Sequence, residues 1–140
     1  MFLTFCGIPG SGKTTLSNQL AEHYNAKLYC YDSFPHAHHP RYTESIHLKM
    51  WRDIVEDLQS GKSVVCDDIN IKFKWRKDLL QALDGVDCKR VLIVMTTPLE
   101  ECLQRNANRK HRLPDWVIQS LAEKYEPPTY EEGWDEIIYM

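Results

Sequence analysis

The segment Gly7-Ile8-Pro9-Gly10-Ser11-Gly12-Lys13-Thr14 constrains this chain more than any other stretch. It fits G-x-x-x-x-G-K-[ST], with the apolar run Phe2–Cys6 before it and a helical pattern after it. Glycines let a backbone wrap a polyanion without Cβ clashes, and the N–H groups of such a loop, with the positive end of the next helix, face phosphates. The reading is a nucleoside triphosphate cradle made by Gly7, Pro9, Gly10, Ser11, Gly12, Lys13, Thr14 and Thr15. Lys13 reaches the β and γ phosphates of ATP, and the Thr14 hydroxyl ligates Mg²⁺. No Asn-Lys-x-Asp guanine-reading motif occurs.

A cradle of this kind needs a parallel sheet behind it, and the pattern supplies one. Apolar runs at 2–6, 27–31, 63–66 and 90–95 predict strands, with a fifth at 134–139. Between them lie helical periods at 13–24, 43–60, 75–83, 99–108 and 114–125. Ile46, Met50, Ile54 and Leu58 recur every four residues, and Gly61 closes that helix. Thr97-Pro98-Leu99-Glu100 reads as a capping box with proline at the first helical position. The expected fold is α/β: a kinase-type P-loop three-layer sandwich with a parallel sheet of four to five strands and a helical lid at about 105–113. The 140 residues suit one domain, 1–140.

Composition narrows the classes. With 17 Lys+Arg against 20 Asp+Glu, the net charge of −3 excludes a globally basic nucleic-acid coat but not a local basic groove. No apolar stretch is long enough to span a membrane, and the N-terminus lacks the charged region of a signal peptide. The five cysteines, at 6, 30, 66, 88 and 102, form no C-x-x-C pair and read as reduced thiols of an intracellular, cytoplasmic protein.

Ligands of open parallel sheets bind at the carboxyl ends of the strands. Asp32 follows the second strand there. It is placed to take the proton of an attacking hydroxyl, or simply to cap a turn. Asp67 and Asp68 end the third strand, and one of them is expected to serve Mg²⁺. Asn70 either holds the following loop or touches substrate. Arg105 and Arg109 share a helix face, as lid cations over a triphosphate or as a solvated basic face. Lys72, Lys74, Arg76 and Lys77 interleave with Phe73 and Trp75, which suits a nucleic-acid strand or a helix start with core aromatics. Residues 35–41 form a proline-bounded loop whose three histidines lack a distinctive metal spacing and read as a substrate-side loop.

Taken together, GIPGSGKTT, the Asp after the second strand, VVCDDIN, ECLQRNANR and the terminal KYEPPTYEEGWDEI resemble the 5′-hydroxyl polynucleotide kinases of phages and DNA-repair enzymes. The resemblance implies transfer of the γ-phosphate of ATP to the 5′-OH end of DNA or RNA, with Asp32 as general base. Lys13, Arg105 and Arg109 would act on the phosphates, Thr14 with Asp67 or Asp68 on Mg²⁺. It places Arg76 where the family often has a substrate arginine. Phage relatives carry an arginine three residues after the base. Here that position is Pro35; either Arg41 or a residue of the histidine loop is the expected substitute, or the substrate differs. No Asp-x-Asp phosphatase signature is present, so no phosphatase domain is expected. The partner would be a nucleic-acid 5′-OH end, with no membrane and a homodimer allowed. Two rivals stand beside this reading. One is a kinase of the same fold for another alcohol: an aminoacyl-tRNA, a nucleoside or a small molecule. The other is a non-catalytic, ATP-dependent nucleic-acid-binding switch.

Overall fold

A computed structural model describes all residues, 1–140. Five strands, β1 (Phe2–Cys6), β2 (Lys27–Cys30), β3 (Val64–Asp67), β4 (Arg90–Val94) and β5 (Glu136–Tyr139), form one sheet in the order β2-β3-β1-β4-β5. Every pairing is parallel. The helices are α1 (Lys13–His23), α2 (Thr43–Gln59), α3 (Phe73–Ala82), α4 (Leu99–Ala107) and α5 (Asp115–Glu123). Short 3₁₀ turns lie at Tyr31–Ser33, Pro40–Tyr42 and Tyr130–Glu132.

Side-chain alternation along the central strand builds two cores. Phe2 and Cys6 join Met50, Ile54, Leu58, Leu79, Leu83 and Trp134 on one face. Leu3 and Phe5 join Val65, Ala21 and Ile93 on the other. The four-residue stripe of α2 is the buried one, as its periodicity predicts. Thr4, fully buried in β1, donates to the Cys66 carbonyl at 2.8 Å. No helix is long and apolar enough to cross a membrane. All five cysteines are unpaired, with Cys6, Cys66 and Cys102 buried.

Three local expectations change. The first is the capping box at 97–100. Pro98 itself is the N-cap residue of α4, and the Thr97 hydroxyl donates instead to the Ser11 carbonyl at 2.8 Å. A threonine beside the phosphate loop has a stronger claim from that loop's carbonyl than from the helix it precedes. The second is β5, which starts at Glu136 because Trp134 turns into the core. The third is α3, which starts two residues early, at Phe73, whose N–H is taken by Glu126 Oε1 at 3.3 Å.

Candidate active site

The topology reverses at β1, and the carboxyl ends of β1, β2, β3 and β4 open into one large cleft. Its lining includes Gly10, Lys13, Thr14, Asp32, Asp67, Asp68, Arg105 and Arg109. The loop after β1 adopts the shape its glycines allow. Gly10 and Gly12 have φ of 86° and 101°, left-handed values that side-chain-bearing residues rarely adopt. Gly10 also lies so close to α4 that a Cβ there would stand 2.5 Å from the Cys102 carbonyl oxygen. Two hydrogen bonds tie α4 and its approach to the same loop: Thr97 to Ser11, and Arg105 Nη1 to the Gly10 carbonyl at 3.4 Å.

Lys13 opens α1 and donates to the Ile8 carbonyl at 2.9 Å, which points its ammonium into the mouth of the loop. Burial holds its pKa below the usual lysine value, against the pull of Asp67, Asp68 and Asp32. The Thr14 hydroxyl donates to Asp67 Oδ2 at 2.9 Å. Burial raises the Asp67 carboxyl, although Lys13 and the Thr14 hydrogen bond oppose the shift. Asp68, its neighbour, turns to α2. One oxygen accepts from the Ile69 N–H at 2.8 Å, and the other faces His47 Nε2 at 2.6 Å. The geometry thus separates the two strand-end carboxylates, with Asp67 beside Thr14 and Asp68 beside His47.

The site has the makings of a triphosphate cradle. Two left-handed glycines expose backbone N–H groups, the Ser11 hydroxyl is buried without a partner, and Lys13 faces the same space. Thr14 and Asp67 offer paired hard oxygens, the donor type that Mg²⁺ takes.

Asp32 sits in the 3₁₀ turn after β2, on the cleft wall. Arg105 pairs with Glu101 at 2.7 Å; α4 ends at Ala107, so Arg109 lies past the helix and not on a shared helix face, and the expected helical lid at 105–113 is a turn from 108 on, although both arginines line the cleft. Of the expected substrate residues, Arg76 and Arg41 lie outside the cleft, and Asn70, on its lining, serves the fold. Arg76 is fully buried, paired with Glu132 at 2.8 Å and bonded to the Asn70 carbonyl at 3.0 Å, so it cannot reach a substrate. Its burial breaks the expected basic strip. Lys74 pairs with Asp78 at 2.9 Å, and Lys72 lies over the Trp75 ring. Asn70 takes the loop-holding role: its amide donates to Thr4 Oγ1 and the Phe5 carbonyl, and its φ of 44° turns the chain. Arg41 lies outside the lining, over the Tyr42 ring, whereas Ala37, His38 and Pro40 of its loop reach the cleft. That loop contributes to no cluster of three metal-binding side chains.

His47 carries no signal in the sequence. It flanks the apolar stripe of α2, and its partner Asp68 lies 21 residues away. Glu132 was equally silent as the partner of Arg76, 56 residues upstream.

Comparison with known proteins decides the family. The description "Chromatin associated protein KTI12" matches residues 1–138. The chain belongs to the KTI12 family. It is 29% identical to the L-seryl-tRNA(Sec) kinase of Methanococcus maripaludis over 96% of this chain and 56% of that protein. It is 24% identical to Protein kti12 of Schizosaccharomyces pombe over 95% of this chain and 54% of that protein. The chain therefore spans about half the length of the curated relatives it matches. A crystal structure of Chaetomium thermophilum Kti12 in complex with ADP-AlF3 superposes with a TM-score of 0.66 at 16% identity, over 100% of this chain and 88% of that one. The P-loop kinase fold is as expected: an α/β sandwich with a five-stranded parallel sheet.

These matches overturn the polynucleotide kinase assignment, and with it the 5′-OH ends of DNA or RNA as partner and acceptor. The motifs that suggested it are those of the shared fold. The phosphate loop is common to many nucleotide-binding proteins, and the terminal Pro-Pro-Thr-x-x-Glu-Gly-Trp run supplies Glu132 and Trp134 to the interior.

Proposed function

We propose that this domain transfers the γ-phosphoryl group of ATP to an alcohol, and that the alcohol is the hydroxyl of an aminoacyl-tRNA such as a seryl-tRNA. One observation carries the proposal: Asp32, Lys13, Thr14 and Asp67 converge on a single cleft from three strand ends. Similarity to a seryl-tRNA kinase over 96% of the chain supports the choice of acceptor.

Phosphoryl transfer of this kind depends on positioning and charge. The loop N–H groups and Lys13 would hold the triphosphate. Thr14 and Asp67 would hold Mg²⁺, which neutralises charge on the β and γ phosphates when bound. Arg105 and Arg109 would close over the same oxygens from α4 and the turn after it. Asp32 would accept a hydrogen bond from the acceptor hydroxyl, align it with the γ-phosphorus and take its proton as the new P–O bond forms. Asp68, already bonded to His47 and Ile69, is not needed for the metal.

The decisive assay incubates the protein with γ-labelled ATP, Mg²⁺ and seryl-tRNA, with deacylated tRNA and alanyl-tRNA as controls. Label on the seryl ester alone supports the reading. Asp32→Asn is expected to lower that transfer by ~10²–10⁴-fold while ATP still binds. Equal labelling of the controls would sink the assignment of the acceptor. The family description names chromatin association rather than phosphotransfer, so the second reading is the non-catalytic, ATP-dependent switch. Phosphate released from ATP with no labelled acceptor, and tolerance of Asp32→Asn, would select it.

A further inference from the structure

We infer that His47 is a positioning residue for the acceptor end of the cleft, an inference that rests on the phosphotransfer reading above. His47 joins three elements. From α2, its Nε2 lies 2.6 Å from Asp68 Oδ2 at the end of β3. Its ring stacks on Tyr31 with centroids 4.5 Å apart and an interplanar angle of 17°. Tyr31 is the residue before Asp32, in the turn that closes β2. Trp51, one turn along α2, also meets the imidazole, with centroids 5.4 Å apart and the rings tilted by 46°.

Both ring nitrogens are committed. Nδ1 lies 2.9 Å from the Thr43 carbonyl, and Nε2 faces a carboxylate. Each partner accepts, so a ring that donates to both satisfies both bonds and cannot rotate without losing them. The sheet sets Cys30 opposite Asp67; past that pair the Tyr31-Asp32 turn leaves the ladder, and a ring fixed in this way holds it against Asp68 and α2. The turn and the strand end carry the groups proposed for the acceptor hydroxyl and for Mg²⁺. The turn that carries Asp32 is tied within itself by Ser33 Oγ to the Cys30 carbonyl at 2.7 Å and by the Phe34 N–H to the Tyr31 carbonyl at 3.2 Å, and the stack on His47 adds its contact to α2. Misplacing a reacting group by about 1 Å costs ~10²-fold in rate. His47 acts through Tyr31 and Asp68 and touches no reacting atom.

The test measures kcat and KM for seryl-tRNA phosphorylation, and ATP affinity by fluorescent-nucleotide binding, in His47→Ala, His47→Phe and His47→Gln. The expected result is a ~10–100-fold loss of kcat in the alanine variant, with ATP affinity and its KM unchanged. The phenylalanine variant keeps the stack and the glutamine variant keeps a donor to Asp68, so each recovers part of the loss. If the alanine variant fails to fold, the other two carry the comparison. Wild-type kcat in all folded variants would overturn the inference and leave the phosphotransfer reading intact. So would an equal loss of ATP affinity, the mark of a merely structural residue. Absence of transfer by the wild-type protein would overturn the phosphotransfer reading and this inference with it.

Discussion

Arg76 and Glu132 form an ion pair, Nε to Oε1 at 2.8 Å, whose side chains are 0% and 3% exposed. A second contact, Nη2 to Oε2 at 3.2 Å, makes the pair bidentate. Trp134 Nε1 donates to Glu132 Oε1 at 3.1 Å, and the Thr129 N–H donates to Oε2 at 3.1 Å. Arg76 Nη1 donates to the carbonyl of Asn70, the residue that turns the chain away from β3. The C-terminal segment is thereby locked to the loop that follows the strand-end aspartates.

Removing one partner leaves the other buried and uncompensated. Glu132→Ala is expected to cost ~3–5 kcal/mol of unfolding free energy, read by urea denaturation. Replacing both residues, as Arg76→Met with Glu132→Leu, should recover much of that loss. A double variant no more stable than Glu132→Ala would argue that Trp134 and Thr129, rather than the charge pair, dominate the lock.

Gly10 couples the phosphate loop to α4. Alanine there meets a left-handed φ of 86° and a backbone carbonyl 2.5 Å from its Cβ. Gly61 is a natural comparison, with a φ of 91° and nothing within 4 Å of an added Cβ. Gly61→Ala should cost ~1–2 kcal/mol for the backbone alone and leave ATP binding intact. Gly10→Ala should cost more and also weaken ATP binding, because α4 must move off the loop. Equal effects of the two substitutions in denaturation and nucleotide titration would refute the coupling.

The parts of this fold legible in the sequence are those whose cause is local. The phosphate loop is readable because glycines, lysine and threonine act within eight residues. The α2 stripe is readable because its period is the helix period. The parallel sheet follows from strand and helix alternation. The illegible parts are long-range polar partnerships. Arg76 looked like a free cation among lysines, and only the folded chain brings Glu132 to it. Thr97 looked like a helix cap until Ser11, 86 residues upstream, offered a carbonyl. The terminal motif resembled a family signature for a related reason. It supplies the buried lock, which says how the sheet is sealed and nothing about what enters the cleft.

The buried cysteines, Cys6, Cys66 and Cys102, should be inert in the native protein. Burial raises the Cys6 thiol to about 11, with Arg76 only partly opposing it, and raises Cys66 well above the ordinary value. Cys30 is pushed up to about 11 by burial and by the charge of Asp67. The thiolate is the reactive form, so these groups are protonated at pH 8. Thiol titration with a disulfide reagent should leave Cys6, Cys66 and Cys102 unreacted in buffer and reveal all five thiols in guanidinium. Rapid native labelling of Cys66 would contradict the packing of β3 against β1.

His47 should make stability depend on pH with a definite sign. Burial pulls its pKa down, but the hydrogen bond and charge of Asp68, aided by the Thr43 carbonyl, raise it above the ordinary 6.5. A group whose folded pKa is raised binds its proton more tightly when folded, so the folded state gains where the proton is bound. The contribution is complete below about 6.5 and fades as pH rises through the folded value. The stability difference between wild type and His47→Gln, measured by thermal unfolding from pH 6 to 9, should therefore shrink as pH rises. A difference that stays constant across that range would mean that His47 stabilises the fold through its stack on Tyr31 alone.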